Sequence, residues 1–212
     1  MRRSTLTVVV ILTALLLPGL AAVVIYRLTS NSSARARGPA PAAYRGSVPP
    51  AGIQMPAFSL RDYRGGTVSS RSLRGRVVLV TFLDTKCKSK CPIIAGELGS
   101  AVRLLTPPER RQISPLALTV NPRTDTPASV RAFLRRHQAL GLDFLIGTTK
   151  QLRPIWHAFG VVAAAETGNA DVHSSDVRVF DRHSVWVSTL HVGEDLTPEN
   201  LVHDAREALK SS

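Results

Sequence analysis

The chain is short of cysteine, of acids and of aromatics. Its 212 residues include two cysteines, and both fall within residues 81–92. That scarcity sets aside a disulfide-stapled scaffold, because the roughly 160 residues from Gly52 onward can bury a real core without covalent help. Acids number 15 against 27 lysines and arginines, for a formal net charge of +12. Six of those arginines and no acid lie in the first 45 residues, which leaves a moderate, scattered +6 for the rest. Aromatics make up 5% of the chain, and no basic helix carries interleaved rings. A nucleic-acid surface built on stacking is therefore disfavoured; anionic lipid or an acidic partner suits the charge better. There is no internal repeat.

What is present begins with Met1-Arg2-Arg3, followed by an uncharged, mostly apolar run over residues 4–26 that is long enough to cross a bilayer. Lacking a small-x-small cleavage site followed by a polar start, residues 1–28 read as an uncleaved N-terminal membrane anchor, a signal-anchor. Residues 29–51, rich in Ser, Ala, Pro, Gly and Arg with no apolar period, read as a flexible linker. Residues 52–212 read as one folded domain.

Within that domain strands and helices alternate. Residues 58–60 and 67–68 predict a hairpin about Gly65-Gly66, residues 77–83 a buried strand, residues 92–105 a helix, and residues 116–120 a second core strand. Thr126 and Pro127 open a helix that buries Val130, Phe133 and Leu134. A short strand at 144–146 and a helix at 149–159 come next. Residues 177–180 then pair with 184–190 across Asp181-Arg182-His183. Thr197-Pro198 opens a last helix, with Leu201, Val202, Ala205, Ala208 and Leu209 on one side. This order argues for a three-layer α/β domain.

The two cysteines occupy the strand-to-helix turn as Cys87-x-x-x-Cys91-Pro92. With Pro92 at the first helical position, Cys91 falls at or near the helix cap, where backbone N–H groups favour a thiolate. Helical residues four apart have Cα atoms roughly 6 Å apart, so the pair can close as a disulfide. Reduced, the two sulfurs can converge on one soft ion, copper(I) or zinc. Lys86, Lys88 and Lys90 interleave with them, and neighbouring positive charge lowers a thiol pKa. Of the six histidines, His137 and His203 are expected on solvated helix faces, His157 as a packing residue, His183 in a turn and His191 at a strand end. His173 lies in a polar loop, residues 168–175, that leads into a core strand and can reach a neighbouring turn.

Four motifs in order carry a resemblance. They are Thr81-Phe82…Thr85-x-Cys87-x-x-x-Cys91-Pro92, Thr119-Val120-Asn121-Pro122-x-x-Asp125-Thr126-Pro127, Phe159-Gly160-Val161, and His173-Ser174 ahead of a strand. From about Pro56 to the C terminus the chain resembles the SCO/SenC family. The resemblance implies a thioredoxin-like three-layer domain with a central mixed sheet, preceded by one N-terminal transmembrane helix. It places that domain on the extracytoplasmic side of the cell membrane. It also implies a copper ion held by Cys87, Cys91 and His173, and help in assembling the dinuclear copper centre of cytochrome c oxidase, whose copper-accepting subunit would be the partner. Two positions depart from the family: Lys88 stands where a proline is usual, and Asn121 where an aspartate is. Neither is a ligand. Asp84, the carboxylate nearest the cysteines in sequence, is expected to support the site rather than to ligate. Two functions follow, a copper metallochaperone and, as the alternative, a thiol–disulfide oxidoreductase in which Cys87 and Cys91 are the catalytic pair, one attacking and the other resolving. An inert structural disulfide is a third reading.

Overall fold

The structure, a computed structural model, describes residues 43–169 and 174–211. The expected anchor, most of the linker and His173 lie outside the described residues. Among the described residues no helix is long and apolar enough to cross a membrane.

In chain order the elements are β1 (Ser59–Asp62), β2 (Thr67–Ser69), a 3₁₀ turn (Arg71–Leu73), β3 (Val77–Leu83), α1 (Lys90–Leu104), α2 (Pro107–Gln112), β4 (Ile113–Thr119), α3 (Pro127–Arg136), β5 (Asp143–Ile146), α4 (Thr149–Ala158), α5 (Ala164–Thr167), β6 (Asp176–Phe180), β7 (Trp186–His191) and α6 (Pro198–Lys210). The strands form one sheet in the order β2-β1-β5-β4-β3-β6-β7. β3, β4 and β5 run parallel at its centre, while β1, β2, β6 and β7 pair antiparallel at the flanks. The sheet is therefore mixed, as expected.

Every residue of β3 is buried, because the strand has neighbours on both edges and packed layers on both faces. Alternation sends Val77, Leu79 and Leu83 into one core with Ile94 and Leu98 of α1, Leu134 of α3 and Leu201 of α6. Val78, Val80 and Phe82 enter the other core, with Leu152 and Trp156 of α4. Each such side chain contributes on the order of 1.5–3 kcal/mol when fully buried. The indole N–H of Trp156 is satisfied by the Thr119 carbonyl at 2.9 Å.

Some boundaries move. β4 begins at Ile113 rather than at 116, since the pairing with β3 already starts at Val77↔Ile113; Ser114 and Pro115 break the apolar pattern that would have announced it. α2, with its Thr106/Glu109 capping box, and α5 are too short to show an apolar period. His157 is exposed and lies 3.1 Å from Glu166 Oε1, so it makes a surface polar contact and is not a packing residue.

Chain ahead of Gly52 is already part of the fold. Ser47 bridges Thr189 of β7. The N–H groups of Arg45 and Gly46 donate to the carboxylate of Asp204 at 2.7 and 3.0 Å, and Ser188 Oγ donates to it at 2.5 Å. A Cβ on Gly46 would lie 2.4 Å from the Thr189 carbonyl oxygen, so this approach requires glycine. Asp204 itself is fully buried on α6. Replacing it, Asp204→Ala, leaves two backbone donors and a hydroxyl without their acceptor. The expected cost is about 2–3 kcal/mol in urea unfolding. A loss below about 0.5 kcal/mol would mean that water replaces the carboxylate.

Candidate metal and thiol site

β3 ends at Leu83, and the chain turns at once: the Cys87 N–H donates to the Asp84 carbonyl at 3.2 Å, and the Lys86 N–H to Asp84 Oδ1 at 2.7 Å. Ser89 is the N-cap of α1, which begins at Lys90. Pro92 is thus the third helical residue, not the first, and Cys91 lies in the first turn, near the cap as expected. Proline is tolerated there because the first-turn N–H groups have no helical acceptor.

The two cysteines are thiols, not a disulfide, and both are buried. Their sulfurs sit in a directed chain of hydrogen bonds. The Cys91 N–H donates to Cys87 Sγ at 3.4 Å, the Asp84 N–H donates to Cys91 Sγ at 3.4 Å, and Ser89 Oγ lies 3.7 Å from Cys87 Sγ. The Cys91 thiol is pushed far above its ordinary range, first by its hydrogen bond with Cys87 and then by burial. Against the expectation that the helix N-terminus favours a thiolate at Cys91, its bond with Cys87 and its burial favour the protonated form, while the Cys91 N–H points at Cys87 Sγ.

Beneath the turn lies a polar layer drawn from distant parts of the chain. Asp84 is fully buried, and its second carboxylate oxygen accepts from Asn121 Nδ2 at 2.9 Å. Asn121 thus meets Asp84 with a neutral amide, where an aspartate would face it with like charge. Asp125 accepts from the Thr85 N–H at 3.0 Å, from Thr85 Oγ1 at 2.6 Å and from Thr119 Oγ1 at 2.5 Å. Asp84, as expected, supports the site: it positions Cys91 through its backbone and the turn through its carboxylate.

Lys86, Lys88 and Lys90 are exposed on the outside of the turn. Cys87, Lys86, Lys88, Phe133, Arg136 and His137 share a cleft of about 340 Å³. His137 was expected on a solvated face. Instead it caps the C-terminus of α3, lies tilted against the Phe133 ring at 4.7 Å between centroids and is partly buried, and burial together with the Arg136 charge lowers its pKa. Gln138, in the left-handed region at φ 54°, turns the chain away just after it. Nothing in the local pattern signals this, because a cap histidine looks the same in sequence as one on an exposed helix face. Among the described residues, no three His, Cys, Asp or Glu side chains are placed to share a metal ion. Cys87 and Cys91 come together as expected, and the third expected ligand, His173, lies outside the described residues.

A protein-family model described as SCO1/SenC matches residues 49–210. The mitochondrial SCO2 homolog of Bos taurus is 31% identical over 117 residues, which cover 54% of this chain and 43% of that protein. The chain spans about half the length of the curated relatives it matches. Among solved structures, Bradyrhizobium japonicum ScoI with copper bound aligns with a TM-score of 0.63 and 24% identity, over 74% of this chain and all of that one. BsSco, described as a member of the Sco family of cytochrome c oxidase assembly proteins in which a disulfide switch was identified, aligns with a TM-score of 0.63 and 20% identity, over 74% of this chain and 93% of that one. These likenesses establish a thioredoxin-like fold.

Two outcomes are expected from this geometry. In the reduced protein, iodoacetamide reaches Cys87 first, and mass mapping at partial labelling finds Cys91 intact; the opposite order would reverse the assignment. The second concerns Asp125. Burial pushes its carboxyl up to about 6 from an ordinary 3.8, the bonds from Thr119 and Thr85 pull it down, and Asp84 adds to the rise. A carboxyl that holds its proton more tightly when folded contributes stability below about pH 4, and that contribution is lost as pH rises through about 6. The difference is worth about 3 kcal/mol. Asp125→Asn should remove this dependence, so thermal melts of wild type and variant diverge in the variant's favour between about pH 4 and pH 7. Parallel profiles would show that Asp125 does not titrate in this range.

Proposed function

The chain belongs to the SCO1/SenC family, and from that premise we propose that it is a membrane-anchored copper metallochaperone serving the assembly of cytochrome c oxidase. The observation that carries this reading is the pair of buried thiols, hydrogen-bonded to each other on a strand-to-helix turn. Two sulfurs converging on one turn form a soft donor set, which suits copper(I). The copper bound to ScoI of Bradyrhizobium japonicum supports the same cargo. His173 completes a two-thiolate, one-imidazole set, and the copper passes by ligand exchange to the copper-accepting subunit of the oxidase. Lys86, Lys88 and Arg136 around Cys87 favour an acidic face on that partner. Residues 1–28 anchor the chain in the cell membrane by a single pass, the linker that follows tethers it, and the folded domain, which takes in the chain from Arg45 onward, works on the extracytoplasmic side.

The asymmetry of the two thiols favours a second reading, a thiol–disulfide oxidoreductase. Cys87, as thiolate, attacks one sulfur of a partner disulfide and releases the other as a thiolate. Cys91 then gives up its proton and attacks Cys87 Sγ, which frees the partner's second thiolate; the pair is oxidised by two electrons and the partner is reduced. The disulfide switch identified in BsSco is in keeping with such chemistry.

An anaerobic copper(I) competition titration of the reduced full-length chain in detergent separates the two. Metal delivery predicts one tightly bound equivalent, lost in Cys87→Ser and in Cys91→Ser and weakened in His173→Ala by about tenfold or more, some 1.4 kcal/mol. Weak binding that is indifferent to His173 gives the lead to the oxidoreductase.

A further inference from the structure

β3 carries the thiols at its C-terminal end. At its N-terminal end, about 20 Å away for seven extended residues, lies a larger cavity of a different character. Its volume is about 550 Å³, within the roughly 300–1,000 Å³ of small-molecule sites. Three segments build it. Arg71 and Arg74 come from the 3₁₀ turn and its end, Arg182, His183 and Ser184 from the β6–β7 turn, and Gln54 from the strand-like run that flanks β7.

The cavity is held open by backbone bonds and does not depend on its own charges. The Gly75 N–H donates to the Arg182 carbonyl at 3.0 Å, joining the first two segments; the Met55 N–H donates to the Ser184 carbonyl at 2.8 Å, joining the third. Asp181, buried at the base of the β6–β7 turn, spends one carboxylate oxygen on the N–H groups of His183 and Val185, at 2.8 and 2.9 Å. Ser184 is held in the left-handed region at φ 64°. These bonds fix where Arg182 and His183 leave the backbone.

No carboxylate lines the cavity. Among the described residues none of Arg71, Arg74 and Arg182 makes an ion pair, although five other Arg and Lys side chains of the domain do: Arg64, Arg153, Arg178, Arg206 and Lys210. Three guanidinium groups around one hollow repel one another unless an anion lies between them. Each offers a planar fork of donors that matches the oxygens of a phosphate, and Gln54 and the serine hydroxyl add neutral donors.

We propose that this cavity is a binding site for a phosphate-bearing ligand. The site is independent of the thiols and of copper. The phosphate can come from a lipid headgroup or from a free phosphate ester, and the chemistry that recognises it is the same.

The test reads the arginines directly. The full-length chain in neutral detergent is labelled with phenylglyoxal at matched ionic strength, and the modified arginines are mapped by mass spectrometry. Inorganic phosphate or glycerol phosphate should slow labelling of Arg71, Arg74 and Arg182 several-fold and leave Arg111 and Arg123, exposed elsewhere, unchanged. If soluble phosphate protects and added lipid changes nothing, the ligand is a free phosphate ester. If micelles doped with phosphatidylglycerol protect where phosphatidylcholine does not, and soluble phosphate is without effect, the source is a lipid headgroup. In the double variant Arg71→Gln/Arg182→Gln, protection of Arg74 should disappear while the thermal melt stays unchanged. Absence of protection under every condition overturns the proposal. So does equal protection of Arg111 and Arg123, which would be charge screening alone, and so does protection of Arg74 that survives the double variant.

Discussion

The reactive end of this molecule depends on one constraint: β3 is bonded on both edges and buried on both faces, so the turn that follows it starts from a fixed point. Its register runs from Val77↔Ile113 to Leu83↔Thr119 against β4, and the Val120 N–H extends the ladder by donating to the Leu83 carbonyl at 3.0 Å. A slip of one residue would exchange the two cores, moving Phe82 toward α1 and Leu83 toward α4. Because the register cannot slip, Asp84 always emerges beside Asn121, and Thr85 beside Asp125.

Charge in the turn is sorted by depth. Asp84 and Asp125 are buried beneath it, and Lys86, Lys88 and Lys90 are exposed above it. Exposed ammonium groups on flexible stems are well screened and do little to distinguish two sulfurs a few ångströms apart. The direction of the hydrogen bonds does distinguish them. Cys87 Sγ accepts from the backbone of the first helical turn, while Cys91, deeper and bonded to Cys87, is driven toward its protonated form. The neutral amide at Asn121 lets Asp84 serve the turn without a second negative charge beside it. An ordered exchange of ligands or of disulfides needs that inequality, since one sulfur must go first.

The two ends of the sheet thus hold opposite kinds of chemistry. At the C-terminal ends of the parallel strands are soft, buried sulfur donors with a cationic rim; at the other end is an open cavity lined by arginines and bare of carboxylates. The stretch from Tyr44 to Met55 runs along the edge between them, clasped by Asp204 near its start and bonded to the Ser184 carbonyl near its end. The clasp is a single buried carboxylate bonded by the N–H groups of Arg45 and Gly46, the Ser188 hydroxyl and His203 Nδ1, and this accounts for the close glycine contact beside it.

The sequence by itself determined the elements whose signals are local. β3 was legible as an unbroken apolar, β-branched run, α3 from the Thr126-Pro127 cap and its buried stripe, and α6 from the same two features. The spacing of Cys87 and Cys91, and the motifs that place the chain in its family, could be read in the same way, as could His173 as the implied third ligand. Only the tertiary structure decided the rest. It turned His137 into the cleft beside Cys87 and His157 out to Glu166. It brought Thr119, Asn121 and Asp125 under a turn some 35 to 40 residues earlier, and it assembled Arg71, Arg74 and Arg182 around one hollow. None of these residues carries a period or a cap that marks its role. Which N–H groups reach which sulfur was likewise beyond the sequence, because composition shows only that lysines and a helix start are near. Those directions exist only once the strand, the turn and the helix are packed.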